Sequence, residues 1–207
     1  MVEWSIAAFR ACDSVRSIIV AAPPGHVHDF SGGDLGVVPG GATRAQSVAN
    51  ALEAVGTELV AIHDAARPLL TPELVEELVA RLDTDPDAAC VIAAAPVTDT
   101  VKRAGTNDAF AVPETENASL VVGKTLDRSQ LWAAQTPQVF RAEALRAALA
   151  VDAGTRDAAT DEAMLVEAAG GRVLIHPTSA ENLKVTTPLD LRVAELLLAD
   201  RAAAPSP

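Results

Sequence analysis

The chain has 207 residues, the size of one large domain or at most two small ones, and enough to bury a core without disulfide or metal staples. Hydrophobic residues at 49% and charged residues at 21% exclude wholesale disorder, while aromatics at 3% with no Tyr leave little for base-stacking nucleic-acid surfaces. A formal net charge of −12 and a pI near 4.6 speak against a DNA or anionic-membrane face. Any anionic ligand must therefore be held by a local cluster of cations. Lysines are scarce, only Lys102, Lys124 and Lys184, and about one residue in five is Ala, so the core must be aliphatic. Cys12 and Cys90 make neither a disulfide framework nor a metal knuckle and read as buried core thiols of a reducing compartment. With no membrane-length apolar run and no signal-peptide pattern, the expected location is cytoplasmic.

In chain order, apolar positions 2, 6 and 9 give a helical period at the start. Ser17 to Ala22 is a continuous apolar run ended by Pro23-Pro24-Gly25, the pattern of a strand buried on both faces. Residues 26–43 are Gly-rich, with a short strand at Gly36-Val37-Val38. A helix is predicted from about Thr43 to Val55 and a strand over Leu59-Val60-Ala61-Ile62. The next helix is capped by Thr71, has Pro72 at its first position, and runs to about Leu82. A strand follows over 89–94. Alternation of buried strands with helices of this length means parallel βαβ crossovers, and the fold class is α/β, doubly wound.

Residues 97–129 break that rhythm. An extended stretch from Val97 to Arg103, a polar stretch from Thr106 to Asn117 and a returning strand over Val121 to Leu126 predict a projecting β-arm, suited to a dimer contact. Helices are predicted over 141–150 and 160–169, the second opened by Thr160 with Asp161 and Glu162 in its first turn. A strand over 172–176 and a helix from Thr187-Pro188 to about Ala199 complete a single domain over 1–201, and residues 202–207 are expected to be a disordered tail.

Five segments carry chemistry. Gly40-Gly41-Ala42-Thr43-Arg44-Ala45-Gln46-Ser47 opens a helix. It allows close backbone approach to a ligand, or is simply a capped helix start. His63-Asp64-Ala65-Ala66-Arg67-Pro68 follows a buried strand, where α/β folds bind ligands; the bland alternative is an Asp–Arg pair holding a loop, with His63 structural. Thr98 to Arg103 and Asp127-Arg128 flank the arm and also read as a solvated charged hairpin. Thr136-Pro137-Gln138 places a hydroxyl at a turn. Lys184, between apolar neighbours ahead of a helix N-terminus, suits a phosphate. No nucleophile–His pairing and no metal-ligand spacing appears. The cations Arg44, Arg67, Arg128 and Lys184 point instead to a multi-phosphate ligand, for which a protein mostly positions groups and neutralises charge.

These residues resemble a known family. Gly40-Gly41 with Arg44 and Ser47, the His63-Asp64-Ala65-Ala66-Arg67-Pro68 run, Pro96-Val97 with Asp99, Thr100 and Lys102, Asp127-Arg128 with Leu131-Trp132, Gln135-Thr136-Pro137-Gln138, Thr160-Asp161-Glu162, and Asn182 with Lys184-Val185-Thr186 occur in the order of the 2-C-methyl-D-erythritol 4-phosphate cytidylyltransferase family of the non-mevalonate isoprenoid pathway. The resemblance runs from about Val2 to Ala199. It implies a Rossmann-like nucleotidyltransferase sheet, mostly parallel, and transfer of a cytidylyl group from CTP to a polyol phosphate, with pyrophosphate released. Mg²⁺ would be carried by the CTP phosphates, with no metal ligand assigned in the protein. By the same resemblance, Gly41, Ala42 and Ser47 would face the cytosine, and Asp64 and Ala65 the nucleotide sugar, with Arg67 beside them. Thr136 and Lys184 would hold substrate phosphate, and Thr100 and Arg128 would reach across from a partner's arm in a homodimer.

The family opens with a strand and a Gly-rich loop whose Arg and Lys cradle the triphosphate, and this sequence is expected to lack that first βα unit, on the order of 30–40 residues. Such a fold would leave the helix from Val2 and a central sheet edge under-packed. Ala42 also stands where some members carry Asp. Two further readings therefore accompany the enzyme: a non-catalytic truncated remnant acting as a dimer partner, and a pentitol-phosphate cytidylyltransferase.

Overall fold

The computed structural model describes residues 1–30, 33–105 and 121–203. Helix α1 (Val2–Arg10) leads into β1 (Ile18–Ala22), which pairs in parallel with β2 (Leu35–Pro39). Thr43 caps α2 (Arg44–Leu52), its hydroxyl accepting the Gln46 N–H at 3.1 Å. β3 (Leu59–Ile62) follows, and α3 (Pro72–Asp83) has the predicted Thr71 cap and Pro72 start. Both caps work because a side-chain oxygen replaces the absent backbone acceptor of the first turn.

The central sheet has the order β3–β7–β4–β8, with β4 at Ala88–Pro96, β7 at Trp132–Arg141 and β8 at Arg172–Pro177. β4 and β8 are parallel, while β7 runs antiparallel to both β3 and β4. β7 corrects the expected turn at Thr136-Pro137-Gln138, for these residues lie inside a ten-residue strand. A proline within a run argues against a strand because it cannot donate to the ladder. Here the register shifts between the pairs Ile92–Gln138 and Ala94–Ala134, which takes Pro137 out of regular pairing.

The arm is present as β5 (Lys102–Gly105) paired antiparallel with β6 (Val121–Thr125); its expected stretch over 106–120 lies outside the described residues. α4 (Ala142–Leu149) and α6 (Glu162–Ala168) pack together, and α6 is capped by Asp161, not Thr160, through a 2.9 Å bond from the Met164 N–H. A carboxylate is the stronger acceptor for a helix N-terminus. A short helix α5 (Ala153–Ala158) adds to the predicted elements. α7 (Pro188–Ala203) extends through the first residues of the expected disordered tail, and 204–207 lie outside the described residues.

The core lies on both faces of β4 and β7. Phe140, Leu145, Cys90 and Ile92 pack with α4 and α6 on one side, and Val91, Val139, Leu78 and Leu82 pack with α3 on the other. β1 and β3 depart from the predicted full burial. Ile18, Ile19, Val20 and all four residues of β3 are only half-buried, because each strand pairs along one edge and a cavity of about 830 Å³ separates them.

Candidate active site

Asp64 begins the loop that leaves β3, and three cations converge on it. Arg44 Nε, from the first turn of α2, lies 3.0 Å from Oδ1, Lys184 Nζ lies 2.9 Å from Oδ2, and Arg67 Nε lies 4.0 Å from Oδ2. Glu162, only 1% exposed at the start of α6, holds the other end of Arg44 at 2.6 and 2.8 Å. Arg44, Arg67 and Lys184 line a pocket of about 250 Å³ together with Asp64, Thr136, Gln138 and Asp161, and Glu162 stands behind Arg44. The three cations thus stand among the carboxylates of Asp64, Asp161 and Glu162.

Buried backbone and amide contacts fix this loop. Arg67 Nη1 donates to the Asn182 carbonyl at 2.7 Å, and the Val185 N–H donates to the Ala66 carbonyl, tying the Lys184 segment to the Asp64 loop. Asn182 Nδ2 reaches Gln135 Oε1 and the Thr136 carbonyl. His63 Nε2 lies 3.1 Å from the Arg67 carbonyl, which can only accept, so this nitrogen carries the proton. His63 Nδ1 then accepts from the Thr136 hydroxyl at 3.1 Å, while that hydroxyl accepts the Asp64 N–H at 3.0 Å. The Thr136 hydroxyl thus accepts one bond and donates the other.

Burial pushes His63 down to about 4, outweighing the hydrogen bonds that favour its charged form, so the imidazole is neutral at physiological pH. Burial works to raise Asp64, but its bonds to Lys184 and Arg44 outweigh this and hold it below the usual carboxylate range. Burial likewise works against the charge of Arg44, yet Glu162 and Asp64 raise it above its ordinary value. Arg67 is pushed down, chiefly by burial. Arg67 Nε and Gln138 Oε1, both on pocket-lining residues, are buried without a hydrogen-bond partner. Such a group costs about 1–3 kcal/mol, which favours a polar ligand here.

Of the predicted site residues, Asp64, Arg67, Thr136 and Lys184 come together in this pocket. Ser47 and Ala65 line the adjoining cavity with Arg44 and Asp64. The Ser47 hydroxyl donates to the Thr43 carbonyl and accepts the Gly41 N–H at 3.0 Å, closing the turn ahead of α2. A side chain at Gly41 would run into Gln46, whose Oε1 accepts the Ala42 N–H. Thr100 and Arg128 do not line the pocket; they stand at the root of the arm, where Arg128 Nη1 donates to the Thr98 carbonyl. Glu162, Asn182 and Gln138 were missed as site residues. The signal for Glu162 was a carboxylate at a helix start facing an arginine on another helix start, which spacing alone does not pair. Among the described residues no three His, Cys, Asp or Glu side chains gather as a metal site, and no helix is long and apolar enough to cross a membrane.

The sequence profile of 2-C-methyl-D-erythritol 4-phosphate cytidylyltransferase matches residues 1–200. The enzyme of that name from Frankia casuarinae is 42% identical over 205 residues, covering 96% of this chain and 70% of the relative. A bifunctional IspD/IspF enzyme of Anaeromyxobacter dehalogenans is 41% identical over 94% of this chain, which spans about half (49%) of that longer relative. The crystal structure of the Thermus thermophilus cytidylyltransferase superposes with a TM-score of 0.76 at 33% identity, covering 96% of this chain and 88% of that one. The profile match, the identities and the shared α/β architecture agree with the Asp64–Lys184 pocket at the carboxyl end of β3: the chain belongs to the 2-C-methyl-D-erythritol 4-phosphate cytidylyltransferase family.

Proposed function

We propose that this chain transfers the cytidylyl group of CTP to 2-C-methyl-D-erythritol 4-phosphate, giving the CDP-alcohol and pyrophosphate. The observation that carries the reading is the convergence of Arg44, Arg67 and Lys184 on Asp64 at a strand end. An oxygen of the substrate phosphate attacks the α-phosphorus of CTP. The new P–O bond forms in line with the breaking α–β bridge, and pyrophosphate leaves with that bond's electron pair. No covalent enzyme intermediate is needed, so the work is placement and charge neutralisation.

Lys184 is the most exposed cation of the set, its side chain 43% exposed against 35% for Arg44 and 11% for Arg67, and it pairs with Asp64 at its tip. It turns from that carboxylate to the incoming phosphate, while Arg44, clamped by Glu162, keeps Asp64 ionised and in place. Thr136 has its hydroxyl proton committed to His63, so it offers a phosphate ligand no donor in this arrangement; its role is to fix the Asp64 backbone. Mg²⁺ would be carried on the CTP phosphates and would supply charge neutralisation there. Both oxygens of Asp64 face cations.

The apolar surface of β6, with Val121 and Val122 exposed, together with Trp132 at the arm root, supports a homodimer in which the arms meet. Thr100 and Arg128 then act from the partner's side. The deciding experiment measures pyrophosphate release from CTP with methylerythritol phosphate and with ribitol 5-phosphate. Turnover of the first above the second is expected, and the reverse assigns the chain to pentitol phosphates. Lys184→Ala should lower kcat by about 10²–10³ with an unchanged circular dichroism spectrum; retained activity removes Lys184 from the chemistry.

A further inference from the structure

The register of the central sheet carries one buried amide to the candidate site. Gln138 lies on β7 opposite Ile62, the last residue of β3, and opposite Ile92 of β4. It is only 1% exposed, and it lines the pocket of about 250 Å³ with Arg67 and Lys184. Its Nε2 donates to Asp161 Oδ2 at 2.9 Å and to the Gln135 carbonyl at 3.5 Å. A carboxylate and a carbonyl both accept, so the nitrogen is assigned and Oε1 is the end left over. That oxygen is buried and has no donor among the described residues.

Arg67 has the opposite deficit. Its Nη1 donates to the Asn182 carbonyl at 2.7 Å, and its Nη2 to the Ala134 carbonyl at 3.5 Å. Two backbone carbonyls thus fix the plane of the guanidinium, and Nε is left buried with no acceptor. Asp64 Oδ2, at 4.0 Å, is too far for a hydrogen bond. An acceptor without a donor and a donor without an acceptor therefore belong to the lining of one pocket.

The two together select the ligand group. A phosphate oxygen satisfies the Arg67 N–H alone, and an ammonium or a nucleobase amino group satisfies the Gln138 oxygen alone. A hydroxyl does both. We infer that Gln138, with Arg67, reads a hydroxyl of the phosphorylated substrate, so that the site selects hydroxylated phosphate esters over plain alkyl phosphates. The inference rests on the proposed reaction for the substrate that brings this hydroxyl. Lys184, in the same pocket, is the cation for that substrate's phosphate, which places the hydroxyl beside the phosphate-bearing carbon. A ligand with the hydroxyl relieves both buried groups at once, and an analogue without it relieves neither; unpaired groups of this kind discriminate strongly.

The test is titration calorimetry on the full chain with an α,β-methylene analogue of CTP present. The probes are 2-C-methyl-D-erythritol 4-phosphate and its 3-deoxy analogue. Wild type should bind the first more tightly by about tenfold or more. In Gln138→Met, close in shape but without the acceptor, that preference should fall below about twofold, with the deoxy analogue bound as before. Gln138→Glu keeps an acceptor and should keep the preference, which also serves if Gln138→Met does not fold. The inference is overturned if wild type binds both probes equally, as it does when a water satisfies both atoms. It is also overturned if Gln138→Met keeps the preference, if Gln138→Glu loses it, or if Gln138→Met weakens both probes alike, the mark of a structural role. Pyrophosphate release from CTP is measured on the same preparations. Preference without release leaves this inference standing and removes the proposed reaction, whereas release without preference removes this inference alone.

Discussion

β1 and β4 are close to the same sequence in chemical terms, Ile18-Ile19-Val20-Ala21-Ala22 against Val91-Ile92-Ala93-Ala94-Ala95, yet all five of the β4 residues are buried and only Ala22 of β1 is. β4 has β7 on one edge and β8 on the other, with α3 and α6 against its faces. Among the described residues β1 pairs with β2 only, has α1 and α2 beside it, and borders the cavity of about 830 Å³. An apolar run creates the demand for cover; how much it receives depends on which distant segments arrive beside it.

The sharpest way to break this comparison is to truncate side chains on both sides of it. Phe140→Ala, in the fully buried centre of β7, should cost about 3–5 kcal/mol by urea unfolding, and a cost near 1 kcal/mol would mean the closed region is no tighter than the open one. The next largest effect is a pH dependence. His63 lies at about 4 in the fold against 6.5 as its ordinary value, so the unfolded chain takes up the proton first. Its contribution is complete above pH 6.5 and is lost as pH falls toward 4, on the order of 3 kcal/mol. His63→Asn should flatten the unfolding midpoint across that window, leaving only the carboxylate losses, such as that of Asp64, at lower pH.

Glu162→Gln removes the buried charge behind Arg44 and should cost about 2 kcal/mol, measured by the same unfolding. Were it neutral, Asp64 alone would suffice to hold that arginine. Val60→Ala, on the half-buried β3 beside the cavity, should cost only about 1 kcal/mol. A cost equal to that of Phe140→Ala would show β3 to be as well packed as β7.

Most elements were legible in the sequence because their signals are local. Thr71-Pro72 opened α3 as predicted, and the apolar runs marked β1, β3, β4 and β8. β7 was not legible, since Pro137 contradicts a strand and its partners on β3 and β4, far away in sequence, impose one. The site was legible in Asp64, Arg67, Thr136 and Lys184 because their motifs sit at strand and helix ends. The roles were less so. Thr136 reads as a hydroxyl at a turn until it is found holding the Asp64 N–H, and Glu162 reads as a helix-start acid until Arg44 is found against it.

The sequence by itself determined an α/β chain with helix caps, apolar strands and a cation-rich set of strand-end motifs, since each is a matter of residues within one turn or one strand. Tertiary structure alone decided that three cations share one carboxylate, that a proline-bearing segment is a central antiparallel strand, and that β1 and β3 are only half-buried. Those outcomes depend on groups far apart in sequence finding partners, and no local pattern records which partners arrive.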